Sequence, residues 1–163
     1  MRLSEIPSGE RIFIDTNIFL YSAFGHPTFD LACKEFLKRV QKCEITGFSS
    51  DSVLNEVFHK LMVAEVADNL DLDGRNAVSI IKKRPELIEG LKNVWAEMEL
   101  IKSFNIVVLS GSAFPEFIEV SKRYKLMATD AVHIAYMHAF EINSIATNDN
   151  DFERVEGLKL WKP

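Results

Sequence analysis

Short apolar runs alternate with longer stretches of helical spacing along this chain. The run at 12–14 (IFI) predicts a buried strand, and the runs at 45–50 (ITGFSS) and 105–110 (NIVVLS) have the same β-like character. Over 29–44 and 51–67, apolar residues recur every three or four positions, which predicts a helix in each stretch. The first half of the chain therefore predicts strands that alternate with helices.

The second half continues this alternation. Residues 86–103, 113–126 and 129–142 have helical patterns, and 143–152 (NSIATNDNDF) begins as a short strand and ends in turn-forming residues. Strands that alternate with helices indicate an α/β fold, and we predict a three-layer α/β/α sandwich with a mostly parallel central sheet. A length of 163 residues suits one domain, so we assign 1–163 to a single domain.

Residues 65–105 are predicted to be a helical insertion within this domain, because the segment is too short to bury a core of its own. It contains a stripe of apolar residues at alternating spacings of four and three: Leu87, Leu91, Val94, Met98 and Ile101. Such a stripe must pack on something. Two alternatives stay open: a second copy of the chain in a homodimer, or the rest of the fold.

Acidic residues stand where predicted strands end. Asp15 directly follows the first strand, with Thr16 and Asn17 beside it, and Asp149 and Asp151 follow the last predicted strand. In parallel sheets the ligand lies beyond the carboxyl ends of the strands, where Asp15 and Asp149 both fall. A helix cap or a polar turn would explain each residue taken alone, so both interpretations remain.

Two further acids lie on predicted helices. Asp130 begins a helix, 131–140, that is apolar on almost every side and is therefore expected to be buried all round. A capping role for Thr129 and Asp130 is the simplest explanation of their position. Glu56 lies on the polar face of its helix, and helical periodicity alone places it in solvent.

A cluster of carboxylates at one end of a sheet would have a chemical consequence. Such groups repel each other and take up protons unless a cation lies among them, so the cluster predicts a hard divalent ion, Mg²⁺ or Mn²⁺. Zinc is disfavoured, because the four histidines show no recognised metal-binding spacing. We expect His133 and His138 to flank or line the core, and Cys33 and Cys43 to be reduced core thiols on one helix.

The net charge of −5 argues at first against an anionic partner such as nucleic acid. Metal ions cancel carboxylate charge, however, so the overall sign says little about the sign of a cleft. The sequence has no apolar run of signal-peptide or membrane-spanning length, so we expect a soluble, cytoplasmic protein with no membrane partner.

Four motifs follow one another along the chain: IDTNIFL at 14–20, SVLNEVFHKL at 52–61, TDAVHIAYMHAF at 129–140 and IATNDNDFERV at 145–155. In order and spacing they resemble the PIN domain, the ribonuclease fold that includes the VapC-type toxins of toxin–antitoxin pairs. The resemblance implies a Rossmann-like α/β/α sandwich and a metal-dependent endoribonuclease that acts on single-stranded RNA.

The resemblance also implies roles for particular residues. The expected catalytic acids, which would also bind the metal, are Asp15, Glu56, Asp130 and Asp149. Asp151, the next acid in the same loop, is a further expected metal-binding residue, and of the two we favour Asp149 as the direct ligand. The expected substrate-binding residues are Thr16, Asn17 and Thr147. Family members are often homodimers, and an antitoxin protein is a possible partner.

Two alternatives to a PIN-type nuclease fit parts of the sequence. A PIN-like module could bind RNA or an antitoxin without cutting. A phosphatase of the haloacid dehalogenase type also places an Asp after a buried strand, but its chemistry needs a second Asp where this chain has Asn17. One departure from the family is the length of 65–105, because family toxins are usually shorter between the second and third acids.

Overall fold

The computed structural model describes the whole chain, residues 1–163, and its centre is a five-stranded sheet. The strands are β1 (Arg11–Ile14), β2 (Thr46–Ser50), β3 (Val107–Leu109), β4 (Ser144–Ala146) and β5 (Lys159–Trp161). Every neighbouring pair is parallel, and the order across the sheet is β3-β2-β1-β4-β5. The strand order therefore reverses at β1, the central strand, which is where open α/β sheets bind ligands.

Helices connect the strands. The seven α-helices are α1 (Thr16–Ala23), α2 (Asp30–Gln41), α3 (Asp51–Leu70), α4 (Gly74–Lys83), α5 (Asn93–Lys102), α6 (Glu116–Tyr124) and α7 (Ala128–Ala139). Short 3₁₀ turns cover Leu3–Glu5, Pro85–Gly90 and Asp151–Arg154. No helix has both the length and the apolar character needed to cross a lipid bilayer.

Successive side chains of a strand point to opposite faces of the sheet, and the central strand is covered on both faces. On one face, the Phe13 ring lies 5.5 Å from the ring of His133 on α7. On the other face, β2 and α2 approach closely: a Cβ added at Gly47 would lie 2.6 Å from Cγ1 of Val40 and 3.0 Å from Cδ1 of Ile14. The predicted three-layer α/β/α sandwich with a parallel sheet is confirmed.

The apolar stripe of the predicted insertion is used inside the fold. Leu91, Val94 and Ile101 are buried members of the same core cluster as the sheet, and Leu87 and Met98 pack against that cluster. Of the two alternatives that the sequence left open, packing within the fold therefore accounts for the stripe. The segment shares one core with the rest of the domain.

The boundaries inside this segment differ from the predicted ones. Helix α3 runs without interruption to Leu70, beyond the predicted start of the insertion at residue 65. The predicted helix 86–103 is divided into the 3₁₀ turn and α5. The division has a visible cause: the buried Glu65 carboxylate accepts hydrogen bonds of 2.8, 3.1 and 2.8 Å from the backbone N–H groups of Lys92, Asn93 and Val94. It therefore caps a new helix start.

Two predictions about burial were wrong. Cys33 is buried, as expected, but Cys43 is exposed, because α2 ends at Gln41 and Cys43 adopts a positive φ of 59° in the turn that follows. Helix α7 has a buried side but is not buried all round: its first and last turns are exposed, and Phe140, which follows the helix, is 40% exposed. Strand β5 is an element that the sequence analysis did not predict.

Candidate active site

The carboxylate of Asp15 lies at the carboxyl end of β1 and forms the N-cap of α1. Its oxygens accept hydrogen bonds from the Thr16 backbone N–H at 2.7 Å, from the Thr147 hydroxyl at 2.6 Å and from the Asn17 side-chain amide. Thr147 directly follows β4, the strand beside β1. The helix-cap interpretation of Asp15 is therefore correct, and the cap also lies at the point where the sheet order reverses.

A cleft of about 290 Å³ opens at this point. It is lined by Asp15, Thr16, Asn17, Leu20, Glu56, Lys60, Met127, Thr129, Asp130, His133 and Asp149. All four predicted catalytic acids are among these residues. Leu20, Lys60 and Met127 also line the cleft, although no sequence motif singled them out.

Glu56 is the residue whose placement from periodicity was wrong. Its side chain is 32% exposed and lines the cleft, because this position of α3 lies against Thr16 at the start of α1, whereas Asn55 and His59 beside it are exposed. The Thr16 hydroxyl donates to Oε2 of Glu56 at 2.9 Å, and Lys60 Nζ lies 2.6 Å from Oε1. Burial pushes the pKa of Glu56 up, but the hydrogen bonds from Lys60 and Thr16, together with the positive charge of Lys60, hold the pKa below its ordinary value.

Asp130 lies in the first turn of α7. The predicted capping role is wrong: the helix begins earlier, Met127 is its N-cap, and no side chain caps it. Burial raises the pKa of Asp130, and the charges of the surrounding acids, Asp149 first, raise it further. The Asp130 carboxylate thus lies among other carboxylates and does not cap the helix.

The loop after β4 places its two acids differently. The backbone N–H of Asp149 donates to the Thr147 hydroxyl at 3.0 Å, and the Asp149 side chain lines the cleft. Oδ1 of Asp151 instead accepts from Nη2 of Arg154 at 2.7 Å, and this residue is not among those that line the cleft. Of the two candidates in this loop, Asp149 lines the cleft with the other acids, whereas Asp151 lies outside the lining, although its charge also raises the pKa of Asp130.

Close acids perturb one another. Burial raises the pKa of Asp15 from 3.8 to about 6, and the charges of Asp130 and Glu56 add to this rise, although the hydrogen bonds from Thr147 and Thr16 oppose it. Burial lowers the pKa of His133 to about 4, and its Nδ1 atom has no hydrogen-bond partner. At neutral pH the cleft therefore combines several carboxylates with an uncharged imidazole.

The donor chemistry of the cleft fits a hard divalent cation. The side-chain atoms that could bind a metal are carboxylate, hydroxyl and amide oxygens, which suit Mg²⁺ or Mn²⁺. A cation would also relieve the repulsion by which the acids raise one another's pKa values. The side chains are not preassembled as a cage: no three His, Cys, Asp or Glu groups lie close enough together to hold one ion. The metal-binding set therefore stays a prediction.

Comparison with known proteins adds independent information. A family model described as "PIN domain" matches residues 12–158. Ribonuclease VapC2 of Methanocaldococcus jannaschii is 29% identical over 150 residues, which span 92% of this chain and 92% of that protein.

Two solved structures have a similar fold at lower identity. VapBC2 from Rickettsia felis, bound to a DNA fragment from its promoter, is 18% identical with a TM-score of 0.60, and the match covers 94% of this chain and 98% of that one. A toxin–antitoxin complex from Klebsiella pneumoniae is 18% identical with a TM-score of 0.52, covering 90% and 94%. The family model spans most of the chain, and the fold agrees with it: this chain belongs to the PIN domain family.

Proposed function

We propose that this chain is a metal-dependent endoribonuclease that hydrolyses phosphodiester bonds in single-stranded RNA. The observation that carries the proposal is the cleft beyond β1, which Asp15, Glu56, Asp130 and Asp149 line together. The name of the M. jannaschii relative, a ribonuclease, supports the same activity. Four acids in one cleft favour a cutting enzyme over a module that only binds RNA.

We assign Mg²⁺ or Mn²⁺ as the metal and these four acids as its ligands. A divalent cation supplies Lewis-acid stabilisation for the negative charge on a phosphoryl group and makes a water molecule easier to deprotonate. Asp149 is the preferred ligand of its loop, because the Asp151 carboxylate is paired with Arg154. No side chain in the cleft is an evident nucleophile, so we expect direct attack by water on the phosphorus.

The polar neighbours hold the acids in place. The Thr16 hydroxyl donates to Glu56, and the Thr147 hydroxyl and the Asn17 amide both donate to Asp15. These groups were expected to bind substrate; their hydrogen bonds support a positioning role as well. Such bonds keep each carboxylate in one orientation, which a catalytic site requires.

The test is cleavage of a labelled, unstructured RNA oligonucleotide in Mg²⁺, in Mn²⁺ and in chelator. We expect the native protein to cut only with metal and to leave a 5′-phosphate. Asp15→Asn and Asp149→Asn should each lower the rate by at least about 100-fold. Loss of a residue that only hydrogen-bonds to a metal ligand already costs up to about 100-fold, and loss of the ligand itself should cost no less. Asp151→Asn is the matched control in the same loop and should retain most activity.

Metal binding is measured separately, by thermal unfolding. An ion that binds only the folded state at 100 times its Kd stabilises it by about 2.7 kcal/mol, so Mn²⁺ should raise the Tm of the native protein and raise that of Asp15→Asn much less. Equal cutting by native protein and Asp15→Asn would indicate a contaminant. Binding of RNA without cutting in either metal would instead support a catalytically silent RNA- or antitoxin-binding module.

We further propose that the protein is the toxin of a toxin–antitoxin pair and forms a homodimer in the cytoplasm. The Klebsiella pneumoniae structure is described as a toxin–antitoxin complex, which supports a protein partner for a chain of this fold. The product of the neighbouring reading frame, co-expressed with this chain, should copurify with it and inhibit RNA cleavage. Light scattering on the purified chain tests the dimer, since a monomeric mass would refute it.

A further inference from the structure

Lys60 is the basic side chain that the structure places in an otherwise acidic cleft. It lies on α3, one turn after Glu56, and it is the only Lys or Arg among the residues that line the cleft. Its Nζ atom is 2.6 Å from Oε1 of Glu56, and its side chain is 48% exposed. The motif analysis gave Lys60 no role, because an i, i+4 Lys–Glu pair is ordinary on a helix surface.

RNA presents a phosphate backbone to this cleft, and the carboxylates there repel it. A phosphate oxygen needs donors, but the Thr16 hydroxyl already donates to Glu56, and the Asn17 amide donates to Asp15 and Thr147. Among the residues that line the cleft, the neutral Thr129 hydroxyl and the charged Lys60 remain as side-chain donors. An ammonium group has three donors on a flexible stem and is a common partner of phosphate. We propose that Lys60 contacts a backbone phosphate of the bound RNA, an inference that rests on the proposed nuclease function.

The contact requires Lys60 to turn from Glu56 toward the substrate. An ion pair at this exposure contributes little to stability, so little is lost when it opens. Glu56 does not then lose its orientation, because the Thr16 hydroxyl still donates to its other oxygen, Oε2, at 2.9 Å. The two hydrogen bonds on Glu56 thus divide into a fixed one and one that substrate can replace.

The chain contains a matched control for this residue. Lys34 on α2 forms an i, i+4 pair with Asp30 at 2.8 Å, with side-chain exposures of 48% and 29%. The Lys60–Glu56 pair has exposures of 48% and 32%. Lys34 does not line the cleft. The two lysines therefore differ in location but hardly in local chemistry, so Lys34→Met controls for loss of one surface ion pair.

The experiment measures RNA binding and turnover. RNA affinity is measured by fluorescence anisotropy at several salt concentrations, with Mg²⁺ present and with Asp15→Asn as the common non-cleaving parent. Each phosphate contact to a single strand contributes about 0.7 to the slope of log K against log salt. Lys60→Met should reduce the slope by about this amount and weaken binding at low salt by about tenfold. Lys60→Arg should largely restore both, and Lys34→Met should change neither.

Turnover by the otherwise native enzyme gives the second readout. Lys60→Met should raise KM about tenfold, and Lys34→Met should leave it unchanged. If kcat falls while KM and the salt slope stay at the parent values, Lys60 acts through Glu56 as a positioning residue, and the phosphate contact is refuted. Equal behaviour of both Met variants in an enzyme that cuts RNA also refutes it, without harm to the proposed function. Absence of both RNA cutting and RNA binding in the native protein would remove both proposals.

Discussion

Two buried titratable groups in the cleft have pKa values shifted in opposite directions, and these shifts predict a specific dependence of stability on pH. The pKa of Asp15 is raised from 3.8 to about 6 by burial, with further contributions from Asp130 and Glu56. The pKa of His133 is lowered from 6.5 to about 4, also by burial. Asp15 is 7% exposed and His133 is 1% exposed, so solvent does not strongly screen either pKa shift.

The two shifts act on stability with opposite sign. Because the folded state holds the proton of Asp15 more tightly than the unfolded chain, the stability from this group is full below pH 3.8 and is lost as the pH rises through about 6. His133 binds its proton less tightly when folded, so its contribution is full above pH 6.5 and is lost as the pH falls to about 4. Each effect is worth about 3 kcal/mol, since one pH unit between two pKa values corresponds to about 1.4 kcal/mol. The native protein should therefore show near-cancellation of the two between about pH 4 and 6.5.

The assay is urea unfolding between pH 4 and 7.5, with chelator present so that metal does not contribute. The perturbations are Asp15→Asn and His133→Met, each of which removes one titrating group. The free energy of unfolding of the native protein minus that of Asp15→Asn should fall by about 3 kcal/mol from pH 4 to 7. The same difference for His133→Met should rise by about 3 kcal/mol over that range. Subtraction cancels most of the contribution of other groups, so the two curves should slope in opposite directions.

Flat difference curves would refute the reasoning. A flat curve for Asp15→Asn would mean that hydrogen bonds from Thr147 and Thr16 fully offset burial and the neighbouring charges. A flat curve for His133→Met would mean that the imidazole has an unrecognised partner or access to water. Curves of equal sign would contradict the assignment of burial as the dominant cause for both groups.

Two further outcomes concern stability. Glu65→Ala should cost about 2–4 kcal/mol in urea unfolding, because three backbone N–H groups at the start of α5 lose their acceptor; unchanged stability would contradict the capping role. Gly47→Ala should cost about 1–3 kcal/mol, because its Cβ would lie 2.6 Å from Cγ1 of Val40. Gly90→Ala, where a Cβ meets nothing within 4 Å, is its control, and equal losses would show that close packing is not the cause.

Local patterns were sufficient to predict the centre of the fold. The apolar run 12–14 predicts β1 because a central strand is covered by helices on both faces and so needs apolar side chains on both. Ile12, Phe13 and Ile14 are all fully buried. Strand β5 escaped prediction because it has three residues and only its last, Trp161, is buried. Its strand character comes from pairing with β4, which no local pattern records.

The site was harder to predict from the pattern of apolar positions. Periodicity identifies the side of α3 that enters the core, but it assigns all the remaining positions of the helix to solvent. Glu56 lies on that polar side and faces a cleft instead, which only the three-dimensional arrangement of α3 against α1 determines. The resemblance to PIN motifs supplied this residue. Lys60 lies within the same 52–61 motif but was given no role there, because it forms an ordinary helical ion pair.

The two interpretations of Asp15 that the sequence left open turn out to be compatible. A helix cap needs one acceptor oxygen, yet this carboxylate accepts from a backbone amide, a hydroxyl and a side-chain amide together. Even so, its pKa is raised to about 6, so these donors do not offset burial and the charges of Asp130 and Glu56. Hydrogen bonds fix where the carboxylate points, whereas repulsion among the acids is relieved by proton uptake or by a bound cation. The cap thus explains the orientation of Asp15, and the proposed cation would account for the presence of so many acids in one cleft.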